Sequence, residues 1–267
     1  MRTTLGAIAL LLVVGGNAAL ATPSVRLGPS PVILLGEVHD NAEGHAARAE
    51  AFGAWLAAGA RPALLMEQLD RERQPEIDKA RSGPVKPDAQ RIIALAGGAS
   101  SSWKWDFYVP FLALALEYDL PIVAANVSRT DTRAIVERGL AATGFDGNVP
   151  DDILAAQVQA IIASHCGMVD EPLAKRLALA QVARDQFMAR MVEQNASRGV
   201  VLIAGAGHVR TDIGVPRWLP APVRAKSESI GFVEEGTEGK ATFDRVVVTT
   251  RQDRPDPCAG LKPGLKR

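Results

Sequence analysis

The sequence predicts an α/β protein, a mostly parallel sheet flanked by helices, with a helical subdomain inserted before the last parallel strand. Three observations predict it. Short runs rich in Val, Ile and Leu alternate with longer segments of helical periodicity. Those short runs are apolar almost end to end, as strands covered on both faces are, instead of alternating polar and apolar. The interval from Gly144 to Ala196 has helical patterning and no strand-like run, so it is too long for a plain crossover and reads as an insertion.

Taken from the N-terminus, Met1 to Ala21 read as an export signal: Arg2, an apolar stretch from Leu5 to Val14, then Ala19-Leu20-Ala21 as the small-x-small cleavage site. The apolar stretch is too short to span a bilayer. Residues 22–251 are expected to form the main domain, with the helical insertion at about 144–196, and residues 252–267 an irregular, proline-containing tail. The first strand is Pro31 to Gly36. Ala42 to Ala58 follows as an alanine-rich helix stopped by Gly59. Ala63 to Glu67 is a second strand, and the polar stretch from Asp70 to Asp88 holds a helix before a Gly83-Pro84 turn. A helix from Tyr108 to Glu117 leads through Leu120-Pro121 into a third strand, Ile122 to Ala125. Thr130 to Leu140 is a helix capped by Thr130 or Asp131, and Val200 to Ala204 a fourth strand. Ser227 to Val233 and Arg245 to Thr250 read as edge strands of mixed orientation.

Composition narrows the function classes. Thirty Lys and Arg balance 30 Asp and Glu, so there is no electrostatic case for a nucleic acid or an anionic surface as partner. With 47% hydrophobic residues the chain can bury a core. Two cysteines cannot build a thiolate cluster. In an oxidising compartment Cys166 and Cys258 are expected to form one disulfide, stapling the tail to the helical insertion.

In a parallel sheet the C-terminal strand ends share one edge, where ligands bind. Glu37 and His39 follow the first strand, Glu67 the second and Asn126 the third, while His208 lies in Gly205-Ala206-Gly207-His208 after the fourth. Three readings fit this rim. Glu37, His39, Glu67 and His208 hold a divalent metal that activates water; or they form a polar network that walls a pocket; or they cap the sheet edge structurally.

Five aromatics, Trp103, Trp105, Phe107, Tyr108 and Phe111, fall within nine residues of a chain that is 5% aromatic. They read either as a clasp for the following helix or as a wall for a large flat ligand, with Tyr108 able to offer a phenolic oxygen to ferric haem iron. On the helix from Glu171 to Asn195, Gln181 and Arg184 interrupt a stripe of Leu177, Met188 and Met191. Arg184 either snorkels at a core margin or faces an anionic group. His165 and Cys166 are neighbours in sequence, which does not by itself make a catalytic dyad, and His45 reads as locally hydrogen-bonded or solvated.

These segments together resemble the ChaN-like family of haem-binding proteins, within the wider Tiki and erythromycin-esterase-like superfamily. The resemblance is carried by Leu35-Gly36-Glu37-Val38-His39-Asp40-Asn41, Glu67-Gln68, Trp103 to Pro110 and Val123 to Asn126, with His165-Cys166-Gly167, Ala180 to Asp185 and Gly205 to Pro216. It spans Val32 to Leu219. It implies non-covalent, b-type haem binding in the periplasm or beyond, in the service of iron uptake, by a protein that forms a homodimer when loaded and works with an outer-membrane haem receptor. It further implies a tyrosine as iron ligand, matched best by Tyr108, and His165 and Arg184 as propionate contacts. Trp105, Glu37, His39, Asn126 and His208 would complete the pocket. Family members are often lipoproteins, and this chain lacks a cysteine at its signal cleavage site, so a soluble exported protein is expected. The alternative is a metal-dependent or esterase-like hydrolase with Glu37 or Glu67 as base and His39 and His208 as ligands; on the leading reading the protein is not an enzyme.

Overall fold

The computed structural model describes residues 25–98, 102–237, 242–256 and 258–259. The export signal expected at residues 1–21 lies outside them, as does most of the tail beyond Asp256. Six strands form one sheet: β1 (Val32–Glu37), β2 (Ala63–Asp70), β3 (Ile122–Asn126), β4 (Val200–Gly205), β5 (Ser227–Glu234) and β6 (Arg245–Thr249). Their order is β3-β2-β4-β1-β5-β6, and every pairing is parallel. The α/β class and the helical insertion between β3 and β4 are as the sequence predicts. The expectation of mixed orientation for the last two strands is corrected: both run parallel to the rest, and β5 lies inside the sheet against β1. Phe243, between β5 and β6, folds over Gly231 and packs with the sheet's second face.

Alternate residues of each strand feed two cores, which is why the runs read as continuously apolar. Ile33 and Leu35 join Phe52 and Leu56 of α1 (Ala42–Ala57), together with α3 (Ala89–Leu95) and α4 (Val109–Glu117). Val32 and Leu34 face Met188, Ala189 and Val192 of α7 (Glu171–Asn195). Helix α2 (Gln74–Ser82) lies in the expected polar stretch, whereas α3, capped by Asp88, has no counterpart in the sequence reading. Helix α5 (Arg129–Arg138) starts one residue earlier than expected, because Ser128 and not Thr130 or Asp131 caps it, accepting from the Asp131 amide.

The insertion is a helical pair, α6 (Asp151–Ser164) and α7. It shares Val182, Ala183 and Phe187 with a core under α5, and has its own small core of Val158, Ile161, Ala174 and Ala178. From Glu171 to Asp185, α7 rises about 21 Å at 1.5 Å per residue. Since Asp185 reaches the C-terminal edge of the sheet (below), the pair stands above that edge as a post. Cys166, at the post's tip, is disulfide-bonded to Cys258 of the tail, with 5.6 Å between their Cα atoms. Arg254 fastens the same tail to the loop after β1: its guanidinium donates to both oxygens of Asp40 at 2.6 and 2.7 Å and to both of Glu234.

Gly36 sits where β1 passes beneath the turn after β4. A Cβ there would meet the Val209 side chain and the Ala206 Cα, the latter at 2.9 Å. Gly36→Ala is therefore expected to destabilise the fold by about 1–3 kcal/mol, the cost of overpacking, measurable as a lower urea midpoint with an unchanged slope.

Candidate functional site

The crossovers from β1 and β4 leave in opposite directions, β1 towards β2 and β4 towards β5, so a crevice opens at their C-terminal ends. Glu37 and Gly205 are register partners there. One strand further, a bulge in β2 between Met66 and Asp70 re-aims Glu67 and Gln68.

Two charge clusters occupy the crevice. The first centres on Glu37, 3% exposed. Burial works to raise its pKa, but the Arg48 guanidinium against Oε2, the His39 ring 2.8 Å from Oε1, His45 and a donating Tyr108 hydroxyl hold it down to about 2. Arg48 is fully buried, its guanidinium 5.3 Å over the Phe111 ring, and it donates to His45 Nδ1 at 2.7 Å. With Nδ1 accepting, His45 Nε2 donates to the His39 carbonyl at 3.1 Å. Burial and the Arg48 charge lower His45 to about 4, so it is neutral at physiological pH.

The second cluster joins the sheet to the post. Glu67 accepts from the Gly205 amide at 2.7 Å, and His208 stands 3.4 Å from Glu67 and 2.6 Å from Asp185 of α7. Gln157 of α6 donates to the other Asp185 oxygen at 3.2 Å. Burial works to lower the His208 pKa, but the charges of Glu67 and Asp185 push it up to about 10; burial raises Asp185 to about 6. His208 is thus an imidazolium clamped between carboxylates. The clusters meet over Gly205, where a Cβ would lie 3.1 Å from His39 Nε2 and 3.6 Å from Glu67 Oε2.

His39 is the open member, its side chain 53% exposed, with Trp103 edge-on at 5.1 Å. Together with Asp40, Ser102 and Lys104 these two line a surface cavity of about 480 Å³. Along the rim towards β3, Asn126 donates to Asp70 at 3.1 Å. The Asn126 oxygen, both amide atoms of Gln68 and Arg184 Nε are buried without a hydrogen-bond partner.

The remaining expected site residues are placed differently. Tyr108 as iron ligand does not fit this geometry. A tyrosinate needs an accessible oxygen that gives up its proton, whereas Tyr108 is 0% exposed, donates to Glu37, and is held protonated by burial and the Glu37 charge, which raise its pKa far above the usual range. Trp105 is packed in the core, its indole donating to the Gly98 carbonyl at 2.9 Å, so Trp103 and not Trp105 faces the cavity. The divalent-metal alternative is not supported either: among the described residues no three His, Cys, Asp or Glu are disposed to hold an ion, because these side chains ligate each other. His165 is exposed at the post's tip, away from the rim network.

The sequence reading missed Arg48 and Asp185. Each is a charge inside an otherwise apolar helix face, Arg48 among Ala47, Ala51 and Phe52, Asp185 among Val182, Ala183 and Met188. That signal was readable, but the stripe chosen on α7 through Gln181 and Arg184 is the margin of the buried face, not its centre.

A profile of the family described as "Haem-binding uptake, Tiki superfamily, ChaN" matches residues 25–219. Among solved structures, "Cofacial heme binding to ChaN of Campylobacter jejuni" superposes with a TM-score of 0.66 at 22% identity, covering 81% of this chain and 86% of that one. An erythromycin esterase, EreC, in its open conformation gives 0.43 at 13% identity over 80% of this chain and 74% of that one. The type III effector HopBA1 gives 0.45 at 11% identity over 83% and 88%. No curated protein sequence matches.

Two outcomes follow from the clusters. Arg48→Met strands a buried Glu37 charge and is expected to cost about 3–5 kcal/mol in chemical denaturation, with part recovered in the double variant Arg48→Met/Glu37→Gln. Because folding raises the His208 pKa from 6.5 to about 10, its stabilisation is complete below pH 6.5 and lost as pH climbs through 10. Urea midpoints across that window should fall in the wild type and lose most of this slope in His208→Gln.

Proposed function

The chain belongs to the ChaN family of haem-binding uptake proteins in the Tiki superfamily, and from that premise we propose that it binds haem on the face formed by the C-terminal rim and the helical post. Haem requires an iron ligand, an aromatic or apolar wall, and cations for its propionates. The observation that carries the reading is the cavity beside His39, where an exposed imidazole, the Trp103 indole and the Lys104 ammonium stand together. Arg184, whose Nε has no hydrogen-bond partner and whose Nη1 donates only to Gln181 at 3.2 Å, is a proposed propionate contact, as is the exposed His165. Non-covalent binding is favoured because both cysteines of the chain are spent on one disulfide, which leaves no thiol for thioether attachment.

Work in an oxidising, exported compartment is part of the same proposal and is supported by that disulfide. Pairing of two copies when loaded and transfer to or from an outer-membrane receptor are carried by the family alone. Among the described residues no helix is long and apolar enough to cross a membrane.

A second reading is hydrolysis without a metal. It is favoured by the exposed His39 ring, whose Nδ1 lies 2.8 Å from the buried Glu37 carboxylate as in a base held by an acidic partner. Glu37 would then orient His39 as the base.

Hemin titrated into the purified protein should give a saturable Soret change, and His39→Ala or Lys104→Ala should weaken it. Absence of saturable binding in the wild type overturns the haem reading; if a p-nitrophenyl ester is also turned over, unaffected by chelator and abolished in His39→Ala, the conclusion passes to the second.

A further inference from the structure

We infer that the C-terminal tail is a redox-released strap: a dithiol that opens the Cys166–Cys258 disulfide frees the post from the loop carrying His39 and speeds ligand exchange beside that loop. The effect on ligand exchange rests on the haem reading above; the release of the strap does not.

The tail leaves β6 at the edge of the sheet and crosses the end of β5 to reach the loop after β1. Its contacts recur at every second residue, the period of an extended segment. The Thr250 amide donates to Glu43 Oε2 at 2.7 Å, and the Thr250 carbonyl accepts from Asn41 Nδ2 at 2.9 Å. The Gln252 amide donates to Glu234, the last residue of β5, at 3.2 Å. Arg254 donates to Glu234 and, bidentately, to Asp40. Asp40 lines the cavity with His39 and Trp103, and Asn41 caps α1. The strap therefore holds the loop at the residues that follow His39.

Four residues after Arg254 the chain is bonded to Cys166 at the tip of the post. Four residues reach at most about 14 Å, and the two cysteine Cα atoms are 5.6 Å apart, so the tip stays close to the rim loop while the disulfide lasts. Lower on the post, Asp185 is tied to His208 after β4. The crevice between β1 and β4 is thus bracketed by a closed circuit of rim loop, tail, disulfide, post and β4. The disulfide uses both cysteines of the chain and is the link in this circuit that a thiol can open.

Both cysteines are half-buried at the surface and not sealed in a core. A thiolate of the dithiol attacks one sulfur of the disulfide, the S–S bond breaks, and a mixed disulfide forms as the other cysteine leaves as a thiolate and takes up a proton. The second thiol of the reagent then displaces the remaining cysteine. Two electrons pass from the dithiol to the protein, giving two cysteine thiols and one cyclic disulfide of the reagent. What remains at the rim is the ion pair of Arg254 with Asp40, side chains 31% and 37% exposed, and pairs this open to water hold a segment weakly. The tip is left with its small core of Val158, Ile161, Ala174 and Ala178, so the post and the rim loop open locally and independently of each other.

The test reads the strap without and with ligand. Hydrogen–deuterium exchange of the ligand-free protein is compared before and after dithiothreitol. The expected result is faster exchange in residues 38–41 and 161–170, with β1 and β4 unchanged. Unchanged exchange in both segments, or faster exchange throughout the strands, overturns the strap. Hemin-loaded wild type and Cys166→Ser/Cys258→Ser, both kept free of thiol reagent, are then mixed with an excess of a haem-scavenging apoprotein. Release roughly tenfold or more faster in the variant is expected; equal rates overturn the control of ligand exchange. Should the double variant fail to fold, Arg254→Gln cuts the strap at the rim with the disulfide intact, and the same faster release is expected from it. No saturable hemin binding in the wild type overturns the haem reading and leaves deuterium exchange to decide the strap by itself.

Discussion

The ion pair between Glu37 and Arg48 is the constraint from which the rest of the rim follows. Both side chains are removed from water, and an isolated charge at either position would be far too costly to keep. Glu37 is fixed by its place at the end of β1, so α1 must cross at the angle that lays Arg48 against it, with Asn41 capping the helix and binding Glu234 at 2.7 Å. Once Glu37 is an anion with two oxygens to satisfy, the neighbouring donors are committed as well. Tyr108 donates its hydroxyl, His39 its Nδ1 side, and His45 is kept neutral by its burial and by the guanidinium beside it. The aromatic segment therefore folds inwards over the carboxylate, with Trp105 and Tyr108 buried and Trp103 half-buried beside the exposed Lys104.

The second cluster performs a different task with similar chemistry. His208, held as an imidazolium between Glu67 and Asp185, ties the end of β4 to both β2 and the post. The post has only a small core of its own, and apart from this tie its position rests on the packing of Val182, Ala183 and Phe187 under α5. The tail adds a second restraint at the far end, through Arg254 at the rim loop and the disulfide at the tip. The rim is thus framed on two sides by elements fixed electrostatically and covalently, and His39 and Lys104 stay exposed on it with Trp103 half-buried beside them.

Much of this was legible in the residues. Strand and helix positions followed from periodicity because both faces of a parallel sheet are covered, and the strand-end polar residues mark one edge in any parallel fold. Glu37, His39, Glu67, Asn126 and His208 all lie there. What misled was chemistry read in isolation. Tyr108 looked like a ligand because a phenol among aromatics can be one, and nothing local says that its hydroxyl is already donated to a carboxylate 71 positions earlier. Trp103 and Trp105, two residues apart, were indistinguishable by composition, and only the 3-10 turn at Trp105–Phe107 sends one to the core and the other to the surface.

The sequence by itself determined the class of fold, the helical insertion, the family and the edge at which the polar residues collect, because each of these depends on local periodicity or contiguous motifs. The orientation of the last strands, the burial of Arg48 and Asp185, the protonation of His208 and the burial of Tyr108 against Glu37 were decided by tertiary structure alone. Each is a matter of which charge or donor meets which across long separations in the chain, and of how much water is removed when they meet. Neither is encoded in any single segment.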